Sequence, residues 1–465
     1  MIKKLFILSA FFGVSLMANA QIWVQQNTNF TGTSIGVDEI SVVDANIVWV
    51  KGFNGSGTGD SRRSIYSKTI DGGTTWTAGA IGVTGTIMPS TFAASNAMKC
   101  FVAAIDTVSS VASFWGTYDG GATWATVGTI LNSSTSFADR VKFWDGNKGF
   151  CYGDPTGTPK QFECYYTTDG GTTWTPAVTS VAPSPAAEYG YNGGDCSAIV
   201  RGTGIGFIIT DHGRVLKTTD YGMNWALTAA PAFSSTAQLA SVKIYASSAN
   251  NIIAANLTTS TSTAWTWVIS SDGGASWTSY TPSGKFYDYA MCHLPGTTNR
   301  YVSTSPSTTN GAGVSYTVDG GANWTDFTDA LLQPSGTNIQ CLAVGFYDVT
   351  TGWVGNYDAA QSINSILKYH DVTAGVPIQQ TLNGNDVNIY PNPSNGLVNF
   401  DISGPNAGDI NISVFDVMGK LIFNQTLNTH GIMNSFFDFS SYAMGVYLVK
   451  LTSGTETTTK KLMIR

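Results

Sequence analysis

The chain has 465 residues, of which 43% are hydrophobic and only 11% are Asp, Glu, Lys or Arg, against about 25% charged residues in an ordinary soluble domain. Ser, Thr, Asn and Gly cover the surface instead, a composition that excludes a disordered chain and fits an all-β extracellular protein. A net charge of −7 without a basic run excludes nucleic acid as a partner, because phosphates need Lys and Arg to neutralise them.

Residues 1–20 read as a signal peptide. Lys3 and Lys4 open it, an apolar run follows over 5–16, and Ala18, Asn19 and Ala20 form a cleavage site before Gln21. The run is too short to span a bilayer, and no later stretch reaches the ~18 apolar residues a span needs. No Cys follows the cleavage site, so a lipid anchor is not expected. The mature chain is predicted to leave the cytoplasm through the periplasm and to be secreted or held at the outer cell surface.

A single strand around Trp23 comes next. Then an eight-residue stretch, Thr69, Ile70, Asp71, Gly72, Gly73, Thr74, Thr75, Trp76, begins a series of six copies whose aspartates are Asp71, Asp119, Asp169, Asp220, Asp272 and Asp319. The copies are 47 to 52 residues apart, and a fixed period of that size signals a repeat architecture. Each copy follows a β-branched or aromatic run and precedes another short strand. Asp followed by Gly between two strands is turn chemistry, so each copy is predicted to be a hairpin tip. The tryptophans that end the copies, Trp76, Trp124, Trp174, Trp225, Trp277 and Trp324, are predicted to pin the outer hairpins by burial. Strand, tight turn, strand, longer loop, strand, box, strand gives four antiparallel strands per repeat, the layout of a propeller blade. Residues 339–371 supply three further strands and no box, so the orphan strand at Trp23 is predicted to complete that last sheet and remove its open edge.

Six cysteines, Cys100, Cys151, Cys164, Cys196, Cys292 and Cys341, match no zinc spacing. Cys151 and Cys164 flank one loop and form a candidate disulfide in an oxidising compartment. Cys196, Cys292 and Cys341 fall near blade starts and read as buried thiols. Residues 374–385 form a linker, and 386–465 carry short alternating strands separated by turn signals, a small β-sandwich.

The repeated Ser/Thr-x-Asp-x-Gly-x-x-Trp pattern resembles the Asp-box of sialidase-like, sortilin-like and photosystem-assembly β-propellers (BNR repeats). That resemblance implies a β-propeller with the boxes in a structural role; six boxed sheets and the one completed by the Trp23 strand make it seven-bladed over 21–373, and the sandwich that follows is expected to be Ig-like. The terminal segment, with Tyr390 to Gly396, Val414 to Lys420, Gly445 to Lys450 and the closing Lys460, Lys461 and Leu462, resembles the type A C-terminal sorting domain of the type IX secretion system. It implies the type IX machinery as a partner of 386–465, and delivery to the cell surface or the medium.

A propeller ligand site is expected at one mouth, on the loops between second and third strands and between blades. Candidate ligand-binding residues there are Arg62, Arg63, Asp211, His212, Tyr189, Tyr191, Tyr287 and Tyr289, because aromatic faces with polar neighbours suit sugars. The sialidase arginine cluster and its Phe/Tyr-Arg-Ile-Pro signature are absent, so no catalytic residue is carried over from that family. Scattered histidines provide no metal centre, and no motif calls for a cofactor. The sequence therefore reads as a non-catalytic binder of a glycan or protein. The alternative is a glycoside hydrolase using two mouth carboxylates among Asp60, Asp154, Asp211, Asp288 and Asp358; a pair about 5 to 9.5 Å apart would mark it.

Overall fold

The computed structural model describes residues 23–465 except 33, 56–61, 84, 129, 132–135, 192–194, 259–264, 308–310, 329–339, 358–364, 370–380, 383–384, 404–407, 417–418, 430–431 and 455. Every regular element among the described residues is a strand. The chain divides into two compact units, Met1–His370 and Asp371–Arg465.

The described strands of the first unit form seven sheets. Their innermost strands are Ile35–Val42, Ile87–Ala94, Ala138–Phe143, Ser197–Ile199, Ser241–Ala246, Ala290–His293 and Gln340–Phe346. Each packs beside the innermost strand of the next sheet, and Gln340–Phe346 returns to Ile35–Val42, so the sheets close into a β-propeller. Second strands such as Val48–Asn54, Cys100–Asp106 and Ile252–Leu257 are buried on both faces over most of their length. They read as near-continuous apolar runs because each sheet is sandwiched between two neighbours. Separate apolar clusters fill the gaps between sheets. In one, Trp49 and Tyr66 of the first sheet meet Phe92, Cys100 and Val102 of the second.

The sheet with no box is completed by Trp23–Asn27, whose residues pair antiparallel with Ser365–Tyr369 from Trp23↔Tyr369 to Asn27↔Ser365. Trp23 is fully buried. Its ring lies 5.5 Å from those of Phe327 and Tyr369 and 6.3 Å from that of Phe346, and its Nε1 donates to the Phe327 carbonyl at 3.1 Å.

Every box repeats one set of bonds. In the first, Thr69 Oγ1 donates to Asp71 Oδ1 at 2.8 Å and accepts from the Gly73 N–H at 2.8 Å. Asp71 Oδ1 accepts the Thr75 N–H at 2.9 Å and Oδ2 the Thr75 hydroxyl at 2.6 Å. The equivalent serine, threonine and aspartate bonds recur at Asp119, Asp169, Asp220, Asp272 and Asp319. In five of the boxes the glycine after the Asp donates to the turn joining the first two strands of its own sheet, as Gly72 does to Asn46 O at 3.0 Å. The second glycine stands against the preceding sheet: a Cβ on Gly121, whose φ is +95°, would lie 2.0 Å from Tyr66 Oη. Trp76, Trp225 and Trp324 are buried, and Trp124, Trp174 and Trp277 are half-buried. Trp174 sits edge-on to Phe101, Phe114 and Phe143 at 5.5 to 5.9 Å.

The hydroxyl and N–H donors around Asp71, Asp119 and Asp272 hold their carboxyls at about 2. A carboxyl with a depressed native value contributes stability above its ordinary value near 4, and loses it as pH falls through the native value. The contribution of these boxes to the melting temperature is therefore expected to stay constant down to about pH 4 and to decline steeply between about pH 4 and 2. Calorimetry over that range checks this, and the Asp71→Asn variant should decline less steeply.

One sequence expectation is corrected. All six cysteines are free thiols. Cys151 pairs across the ladder with Tyr165, and Cys164 with Tyr152. The one-residue offset sends the two thiols to opposite faces of their sheet: Cys151 joins the cluster with Phe101 and Phe114, Cys164 that with Phe150 and Phe207.

The second unit has two four-stranded sheets around Val398, Phe400, Ile412, Val414, Val449, Leu451 and Leu462. Asn392 and Ser394 pin the final strand: Asn392 Nδ2 donates to Lys461 O at 2.6 Å, and Ser394 N to Met463 O at 2.8 Å.

Candidate functional site

The seven innermost strands enclose a cavity of about 600 Å³. Alternation along each strand puts every second side chain into it, and several of these are charged. Its lining holds five cations, Lys51, Arg140, Lys142, Arg201 and Lys243, and four carboxylates, Asp38, Glu39, Asp145 and Asp195. In a chain of net charge −7 the cavity is locally basic.

Most of these charges are spent on each other or on the ring. Lys51 Nζ lies 2.7 Å from Asp38 Oδ2, within one sheet; burial nonetheless pushes the Asp38 carboxyl up, against the pull of Lys51. Arg140 of the third sheet reaches Glu39 of the first at 2.7 Å and the Thr91 hydroxyl of the second at 2.9 Å. Burial disfavours the Arg140 charge, but Cys196 and Glu39 outweigh it and hold the guanidinium charged. Asp195 Oδ2 accepts from Tyr245 Oη at 2.7 Å and from Met291 N at 3.3 Å, linking the fourth, fifth and sixth sheets. Lys243 Nζ donates to the carbonyls of Asp288 and Tyr289 at 2.5 and 2.6 Å and stands 3.9 Å from the centre of the Trp265 ring. Burial lowers Lys243 to about 8.

Arg201 spans the ring. From the first turn of the fourth sheet it donates to Val42 O at 2.9 Å and Val43 O at 2.5 Å in the first sheet, and its guanidinium lies 5.3 Å from the Tyr347 ring of the last. Those turns lie at the Asp-box end, so one guanidinium crosses that end of the cavity. Lys142 is the exception to this pairing. Its half-buried ammonium has no acceptor or carboxylate partner among the described residues, and burial with neighbouring Arg140 lowers its pKa.

Of the residues singled out in the sequence, Tyr191 and Tyr289 line the cavity. Tyr191 Oη donates to Ser241 Oγ at 3.1 Å, and Tyr289 is 47% exposed. Asp211, His212 and Tyr287 are buried outside the lining, with His212 Nδ1 2.6 Å from Asp211 Oδ1. Tyr189 and Arg63 are exposed and do not line it either. Asp60, Asp358 and the side chain of Arg62 lie outside the described residues. Asp154, Asp211 and Asp288 are not lining residues. Sequence reasoning missed the charged innermost-strand residues, because it sought the site on loops.

It also missed a latch between sheets. Lys68 Nζ donates to Gly120 O at 2.7 Å, Lys217 Nζ to Gly273 O at 3.1 Å and Lys368 Nζ to Gly72 O at 2.7 Å, each reaching the box of the next sheet. Lys68 and Lys217 directly precede the box Thr, and that position is the signal that could have shown them.

Residues 388–465 match the family model for the secretion system C-terminal sorting domain, and 165–176 match that for the BNR/Asp-box repeat. The chain is an Asp-box β-propeller with a type IX sorting domain. That domain directs it through the type IX secretion system to the cell surface or beyond. Among solved structures, it is similar to YCF48 bound to D1 peptide, with 14% identity over 75% of this chain and 97% of that one and a TM-score of 0.46. YCF48 from Cyanidioschyzon merolae gives 16% identity over 74% and 98%, with a TM-score of 0.46. A GH74 xyloglucanase from Xanthomonas campestris gives 12% identity over 89% of this chain and 71% of that one, with a TM-score of 0.28. No curated protein sequence matches the chain.

Proposed function

We propose that the propeller is an exported binding module whose central cavity takes a glycan bearing a carboxylate, and that it performs no chemistry on it. One observation carries the reading: among the described residues Lys142 has no hydrogen-bond or ion-pair partner, in a cavity where the other cations have acceptors. A sugar carboxylate would supply the missing acceptor through a charge-assisted bond, and Trp265, Tyr289 and Tyr191 offer aromatic faces to the C–H patches of the ring. A cavity of about 600 Å³ falls within the ~300–1,000 Å³ range of small-ligand sites. Glu39, Asp38 and Asp195 already hold ion-pair or hydrogen-bond partners, which favours a binder over a hydrolase needing two free carboxyls.

Calorimetric titration of the mature protein with a uronic-acid trisaccharide and its neutral, carboxyl-reduced counterpart tests this. The acidic sugar is expected to bind more tightly, and Lys142→Gln to weaken it about tenfold, the lower end for a hydrogen bond to a charged group. Equal affinity of the variant, or release of shorter sugars during the titration, would overturn the reading.

A further inference from the structure

The cavity wall at Tyr191 hangs on three carboxyls that ligand binding does not use. Asp139 comes from the innermost strand Ala138–Phe143, Asp154 from the neighbouring strand Gly149–Thr156, and Asp211 from the turn after Gly206–Ile209 of the next sheet. All three converge on Tyr189 and Gly190. Gly190 N donates to Asp154 Oδ1 at 3.0 Å and Tyr189 N to Asp211 Oδ1 at 3.0 Å, and Asp211 N returns a bond to Tyr189 O at 3.3 Å. Asp139 presses on Gly190 so closely that a Cβ there would stand 1.6 Å from Asp139 Oδ2. One residue on, Tyr152 Oη donates to Tyr191 O at 3.3 Å, and the Tyr191 ring enters the cavity.

Among the described residues Asp139 Oδ2 and Asp211 Oδ2 are buried without a hydrogen-bond partner. Buried carboxyls are normally satisfied, and three ionised together repel one another. The surrounding charges do not cancel them. Arg140 is paired with Glu39 and its pull on Asp139 is outweighed by burial, Lys160 acts on Asp154, the His212 ring reaches Asp211, and Glu188 is engaged by Arg214 at 3.1 Å and by Thr210 at 2.5 Å. The Tyr152 hydroxyl and Cys196 thiol beside Asp139 add no cation. Among the described residues no group of three His, Cys, Asp or Glu is placed to hold a metal ion; a proton is a cation that removes the repulsion between adjacent carboxyls.

We propose that protons on Asp139 and Asp154 clamp residues 188–191 against the ring, making this segment a pH-operated fastening of the Tyr191 wall of the cavity. Burial raises Asp139, with Asp154 and Cys196 adding to it, and burial brings Asp154 up to about 7 in spite of the Gly190 N–H. A carboxyl that holds its proton better in the clamped state stabilises that state fully below the ordinary carboxyl value, and the clamp loosens as pH climbs through about 7.

Hydrogen exchange of the full mature protein, resolved to a peptide over 186–191 and corrected for intrinsic rate, tests the clamp without any ligand. Opening at Tyr189 and Gly190 is expected to increase about tenfold between pH 6 and 8, the ratio for one carboxyl titrating near 7 when clamped and near 4 when open. Asp154→Asn should flatten that slope. Gly190→Ala should leave the segment open at both pH values through the Asp139 clash. A flat wild-type profile, or an unchanged slope in Asp154→Asn, would overturn the clamp. The link to binding rests on the glycan reading: affinity for the uronic-acid trisaccharide should fall over the same pH range. If exchange responds while the sugar does not bind at any pH, the cavity reading fails and the clamp stands.

Discussion

Replacing Trp23 with Ala is expected to lower the stability of the propeller by about 3–5 kcal/mol, the cost of emptying a fully buried aromatic site. The effect is large for a residue in the first strand of the described chain, since substitutions near chain ends are ordinarily tolerated. Trp23 is 0% exposed, touches Phe327, Phe346 and Tyr369, and satisfies the Phe327 carbonyl. Deleting Trp23–Asn27 should cost more, because it also strips the ladder from Ser365–Tyr369 and exposes an unpaired edge. Denaturant titrations of both variants check the order. A Trp23→Ala midpoint equal to wild type would show that the ring closes without this strand.

Arg140→Met is expected to destabilise the ring by about 1.5–3 kcal/mol, because it leaves the half-buried Glu39 carboxylate without its cation. Glu39 is 18% exposed at its side chain and would keep only the Thr91 hydroxyl at 3.2 Å. The double variant Arg140→Met with Glu39→Gln removes both charges and should recover most of the loss. A double-mutant cycle measures the coupling; additive losses in the cycle would mean that the ion pair across three sheets does not act as one unit.

The two variants also mark how far the sequence could be read. The boxes were legible because their chemistry is local: Thr69, Asp71, Gly73 and Thr75 bond within seven residues. Closure by Trp23 was legible as a count of strands, since six boxes leave one unfinished sheet. The cavity was not legible, because its bonds join Glu39 to Arg140 and Arg201 to Val42 across 101 and 159 residues. Nothing in the alternation of a strand says which inward position carries a charge or which distant sheet answers it. The loop tyrosines were sought as sugar platforms; Tyr191 and Tyr289 reach the cavity, whereas Tyr287 is buried outside its lining. The Cys151 and Cys164 pairing failed for a one-residue reason, the ladder register, which spacing alone does not determine.

The same clasp has a mechanical side. A pull on the segment that follows Ser365–Tyr369 loads the end of that strand. In a propeller whose last strand is an outer edge, such a pull would peel one ladder, bond by bond, like tape from a surface. Here that strand lies between Gly352–Tyr357 and Trp23–Asn27. A force from that side must tear two ladders at once, so the ring resists being unwound from the end of its last strand.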